Sequence, residues 1–279
     1  MMVKQDIPVD VVHLLSVLDR MLIDLLHTLS PDDWHKQTIA KLWSVKDVVA
    51  HLLDGNIRIL SMLRDKHTGE PADLQSYEDL VQFINRLNAD WVKAMQRVSP
   101  EMLILLHKAT GHEYCEYFMS LNPFDPADLA VAWAGESEST NWMHIAREYS
   151  EKWLHQQHIR YACNKHGLMM RELFYPFIDT FMLALPHTYR AVQADHGTII
   201  ELTITTEIGG SWYLERIGSR WILKKQSSST PSAKIIIDPD TSWKLFSKSI
   251  RADEVGEQVI VTGDRCLCFP ALSMVSVIA

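Results

Sequence analysis

Cysteine is scarce and unclustered in this chain. The four present, Cys115, Cys163, Cys266 and Cys268, include no C-x-x-C pair and are too few to staple 279 residues. They read as reduced, mostly packing thiols. No stripe of lysine and arginine breaks a formal net charge of −8, which excludes an electrostatic grip on nucleic acid or an anionic membrane. No stretch approaches the roughly 20 apolar residues that span a bilayer. The opening MMVKQDIPVD lacks the basic and then apolar run of a signal peptide, so a cytoplasmic location is expected. Internal repeats and low-complexity tracts are absent as well. What remains, 47% hydrophobic and 22% charged residues, is the profile of a globular chain able to bury a sizeable core.

The first part of the sequence repeats a helical period. Val9, Val12, Leu15, Leu18, Leu22 and Leu25 predict an amphipathic helix over residues 8 to about 28, and Ser30-Pro31 then starts a short helical turn. Ser44, three residues before Asp47, makes a weak form of the capping box for a second helix, which carries His51. A third helix begins near Ser76 and ends at Ser99-Pro100, and a fourth runs from there toward Asn122-Pro123. Residues 122–139 have loop chemistry, and helix returns from Thr140 to about Asn164. RELFYPFIDTFMLALPHTYR is expected to be a last helical piece, kinked by Pro176 and ending near Pro186.

After Arg190 the pattern alternates. TIIELTITT, SWYLER, RWILKK, AKIIIDPD and QVIVTG read as strands, with a turn at Ile217-Gly218-Ser219. DTSWKLFSKSI reads as a helix, and RCLCFPALSMVSVIA as a terminal one. The expected architecture is therefore multidomain α and α+β: a helical bundle over 1–188 and a small α+β domain over 190–279.

Chemistry concentrates in EYSEKWLHQQHIR. Residues four apart on a helix lie one above the other, so Glu151 and His155 can converge on one point. A catalytic zinc commonly takes three protein ligands, two histidines and a glutamate among the known sets, and leaves one position open. His51, on an apolar helix of the same bundle, is the natural third ligand. Competitors share the helix: His158 lies on nearly the same face as Glu151, and His144 with Glu148 forms a second pair at the same spacing. The remaining histidines, at positions 13, 27, 35, 67, 107, 112, 166, 187 and 196, show no ligand spacing and read as structural or solvated. Trp133, Trp142 and Trp153 read as core packing in preference to a substrate cage, and Trp43 as a staple residue before the Ser44 cap.

LWSVKDVVAHLLD resembles the W-S/T-V-x-D-V-V-x-H-L signature of the DinB-like metal-binding bundles. REYSEKWLHQQHIR resembles the Glu-x-x-x-His helix of the branch typified by mycothiol-dependent maleylpyruvate isomerase. LALPHTYR, IIIDPDTSWKLFSK and VIVTGDRCLCFPAL look like the carboxy-terminal domain of that branch, whose fold is similar to sterol carrier proteins. The resemblance spans nearly the whole chain and implies that His51, Glu151 and His155 are ligands of a divalent metal, zinc first, with nickel or iron also suited to imidazole. It further implies a small-molecule thiol as co-substrate, used for isomerisation of, or S-transfer to, a small electrophile. Two positions depart from the pattern. His158 stands where relatives carry Asp or Gln, making it an additional or substitute ligand, and Lys244 and Lys248 stand in the region of the family's substrate-binding arginine without its planar fork. The nearest rivals are a metal-dependent hydrolase, since the same ion activates water, and a small-ligand or lipid binder in which the metal is structural.

Overall fold

The computed structural model describes residues 6–67, 69, 75–128 and 138–274. It is an N-terminal helical bundle followed by a C-terminal α+β part, as the sequence pattern predicts. Contacts group the chain into two compact units, each assembled from separate stretches: 12–122 with 155–166, and 1–11 with 123–154 and 167–279.

In the first unit, α1 (Val12–His27) buries Leu15, Leu18, Leu22, Leu25 and Leu26 along the stripe its period dictates. A short turn at Asp33–His35 follows, tied by Ser30, whose backbone N–H and hydroxyl both donate to Asp33 at 2.9 Å. Helix α2 (Val45–Ile59) starts at Ser44, whose Oγ accepts from the Asp47 N–H while the Asp47 carboxylate accepts from the Ser44 N–H, a complete capping box. It runs on into a π-helical turn at Leu60–Arg64. Helices α3 (Tyr77–Met95) and α4 (Pro100–Met119) begin at the serine caps Ser76 and Ser99, the latter with Pro100 in the first turn. Side chains of α1, α2, α4 and the end of α5 (Asn141–Ala162) form one apolar cluster that includes Val45, Val48, Leu103, Ile104 and Ile159. Gly111 on α4 lies so close to α1 that a Cβ there would come within 2.2 Å of the Asp19 carboxylate.

The second unit is built on a five-stranded sheet of order β3-β2-β1-β4-β5. Its strands are β1 (Ile199–Ile204), β2 (Gly210–Ile217), β3 (Arg220–Lys224), β4 (Ala233–Ile237) and β5 (Val259–Gly263). All pairings are antiparallel except that of β1 with β4. The β2–β3 hairpin turns at Gly218, whose φ of +57° is costly for a residue with a Cβ. The expected kinked helix is instead two pieces, α6 (Arg171–Met182) and the single turn α7 (Leu185–Thr188). Pro176 is accommodated inside α6, whereas Pro186, lacking an N–H, sits in the first turn of a new helix. Helix α8 (Pro239–Phe246) is capped by the Asp238 side chain, and α9 (Arg265–Leu272) receives a hydrogen bond at the Leu267 carbonyl from Tyr189 at 2.7 Å. Residues 129–137, with Trp133, and the tail 275–279 of the expected terminal helix lie outside the described residues.

Helix α5 lacks a polar face. From Asn141 to Arg160 nearly every side chain is buried or half-buried, including Lys152, Gln156, Gln157, His158 and Arg160. In the sheet-containing unit Trp153 stacks on Phe177 at 4.0 Å and the Tyr149 hydroxyl donates to the Leu173 carbonyl at 2.6 Å. In the helical unit Gln156 donates to the Leu18 carbonyl at 2.9 Å, and Arg160 to Met21 and Gln156. Trp153 is thus core packing, as its pattern predicts.

Candidate metal centre

Glu151 and His155 are one turn apart on α5, and His51 comes from the second turn of α2. One ligand atom from each of the three can be chosen so that all lie within 4.8 Å of one another. The two imidazoles meet edge to face with centroids 4.7 Å apart, and the Nδ1 atoms of both are shut off from solvent. Bonds of about 2.1 Å to a tetrahedral ion would separate such ligand atoms by roughly 3.4 Å, so the observed spread closes around an ion with a small inward shift. Two neutral imidazoles and one carboxylate bring a single negative charge, a donor set suited to a divalent transition metal. The three side chains singled out from the sequence are therefore together, and their chemistry fits a bound ion.

His158 lies beside this group. It is buried, with its ring 5.3 Å from that of His155. Burial first, and then the neighbouring His155, hold its imidazole well below the ordinary histidine range, so it stays neutral. His144 and Glu148 make their own pair at 3.6 Å. His107, read as structural, is buried with its Nε2 3.0 Å from the Val49 carbonyl.

Trp43 corrects the sequence reading. Its ring lies 4.6 Å from His51 and 5.9 Å from His155, so it covers both imidazoles in addition to packing on the apolar cluster. The loop before α2 holds it there. Gln37 and Ser44 form a β-bridge, and the Trp43 carbonyl accepts from the Thr38 N–H at 3.2 Å, the Thr38 hydroxyl at 2.7 Å and the Gln37 amide at 2.8 Å. Helical spacing gives no sign of this contact, because it depends on how the loop turns back.

Lys244 and Lys248 have different settings. Lys244, in the last turn of α8, pairs with Asp240 at 2.6 Å across one turn. Lys248 lies past the end of α8 with φ +63°, and partial burial pulls its ammonium below the usual lysine range.

No described helix is long and apolar enough to cross a membrane. A comparison with curated proteins returns no match. Among solved structures, the chain is similar to the crystal structure of the mycothiol-dependent maleylpyruvate isomerase, with a TM-score of 0.52 at 10% identity over 90% of this chain and 92% of that one. A variant of that isomerase with a histidine replaced by alanine gives a TM-score of 0.53 at 9% identity over the same shares. At this identity the likeness establishes the fold. The profile of the mycothiol maleylpyruvate isomerase N-terminal domain matches residues 15–160, just over half of the chain, so the chain belongs to that family.

Proposed function

We propose that the protein is a metal-dependent enzyme that uses a low-molecular-weight thiol as co-substrate, which either adds to a small electrophile and leaves again to isomerise it, or is joined to the electrophile through sulfur as a leaving group departs. The observation that carries this reading is the convergence of His51, Glu151 and His155 in a chain of this family. The two imidazoles and the carboxylate would hold the ion, zinc first and nickel or iron as alternatives, a three-residue donor set of the kind that catalytic sites use. When bound, a divalent ion favours the deprotonated form of a thiol that shares its coordination sphere, and the thiolate is the nucleophile. The protein's own part is to fix the geometry. Trp43 walls one side of the imidazole pair with an apolar surface, and neutral His158 supports His155 or substitutes for a ligand without adding charge. Lys244 and Lys248 are assigned the orientation of an anionic substrate by charge alone, Lys244 having first to give up Asp240 and Lys248 pairing with no carboxylate among the described residues. The division into domains at 188 and 190 and an intracellular setting rich in reduced thiol belong to the same reading.

The test begins with protein purified without an affinity tag and elemental analysis of bound metal. One ion per chain is expected, lost in Glu151→Ala and in His155→Ala. A thiol, mycothiol first because the similar solved structures are described as dependent on it, should then raise the melting temperature of the loaded protein only. Retention of metal by both variants, or absence of metal in a protein that also refuses zinc on titration, would overturn the assignment.

A further inference from the structure

Arg216 is 6% exposed and lies on the core face of β2, the face it shares with Trp212 and Leu214 by strand alternation. Its backbone is fully used: the N–H donates to the Thr198 carbonyl at 2.9 Å, and its carbonyl accepts from Gly197 at 2.8 Å. The side chain is not. Its Nε and Nη1 are both buried, and no acceptor among the described residues reaches them. The contact it does make is with an aromatic face, the Trp221 ring 5.6 Å from Cζ, on the residue opposite it across the β2–β3 ladder. A second buried arginine in the same chain is the contrast. Arg160, 7% exposed, donates to Gln156 Oε1 at 3.1 and 3.0 Å and to the Met21 carbonyl at 3.2 Å. A guanidinium cannot shed its charge to escape burial, and buried donors of a charged group without acceptors are unfavourable. An anion would supply acceptors for these donors.

We infer that Arg216 is the anchor of a ligand site in the sheet-containing unit, one that takes a monocarboxylate with an apolar body. Three features select the class. The planar guanidinium carries pairs of parallel donors that match the two oxygens of a carboxylate. One guanidinium balances one negative charge, so a singly charged group suits it better than a phosphate dianion. The surroundings, Trp221 and the face shared with Trp212 and Leu214, offer contact to hydrocarbon or an aromatic ring and little to a polar body. This site does not depend on the metal reading.

The experiment is thermal denaturation and isothermal titration of the full chain with benzoate, with benzamide as the neutral isostere and inorganic phosphate as the competing anion, all at constant ionic strength. Benzoate is expected to raise the melting temperature saturably by a few degrees, and benzamide to leave it unchanged. Arg216→Met should abolish the benzoate response while leaving the protein at least as stable, because an apolar residue of similar length removes the unpaired charge. Arg216→Lys keeps the charge without the fork and should weaken benzoate by about tenfold, which tests the site even if the methionine variant fails to fold. No saturable response to benzoate, an undiminished response in Arg216→Met or Arg216→Lys, or tighter binding of phosphate than of benzoate would overturn the inference.

Discussion

Trp43 shows how much a single side chain near the ligands can matter. Groups that fix the orientation of metal-binding imidazoles commonly change metal affinity by 10–100-fold when removed. Trp43 touches both His51 and His155 from a loop fastened by Gln37 and Thr38. Trp43→Ala is therefore expected to weaken metal binding by about that factor, with Trp43→Phe restoring most of it, measured by titration against a competing chelator. Equal affinity in the alanine variant would reduce Trp43 to core packing. Residues differ in how far the sequence exposes them. Glu151 and His155 have ligand spacing, but His144 and Glu148 share it, so the resemblance is what selects the pair and links His51 to it, since nothing local ties α2 to α5. Trp43 is hidden because a loop sets its contact. Arg216 is legible, since counting by twos from Trp212 places it on the buried face, where a charge needs an explanation.

At the scale of elements, punctuation was the most reliable signal. Ser44 and Asp47 have the spacing of a weak capping box, and the structure makes both of its hydrogen bonds. Because α2 delivers His51, its start also sets the height of one ligand. Ser44→Ala should cost about 1 kcal/mol of stability in urea unfolding, while leaving one metal ion per chain; loss of the ion with unchanged stability would mean that the cap acts on the ligand and not on the helix. Strand periodicity found all five strands, and Gly218 marked the hairpin. The single helix expected from Arg171 to the region of Pro186 was the error of this kind. Pro176 is the more central proline, yet the break falls at Leu183 and Ala184, just before the turn that holds Pro186.

For the whole molecule, composition predicts no membrane span, and no described helix is long and apolar enough to make one, but it is silent on the way the chain is grouped. Both compact units draw on stretches far apart in sequence, and α5 supplies residues 141–154 to one and 155–162 to the other. A linear reading cannot show this, because hydrophobic periodicity reports which face of an element is covered and not by what. α5 also hides from that reading in another way. Covered on nearly every side, it carries Lys152, Gln156, Gln157 and Arg160 where a surface helix would carry them toward water. Its consequence lies in time. An element buried all round offers no local opening that leaves the rest of the fold intact, so its amide protons should exchange with deuterium only through global unfolding, at the slowest rates in the chain. Fast exchange along residues 150–160, followed by mass spectrometry of peptic fragments, would show instead that the segment bearing two of the three candidate ligands opens independently while its surroundings stay folded.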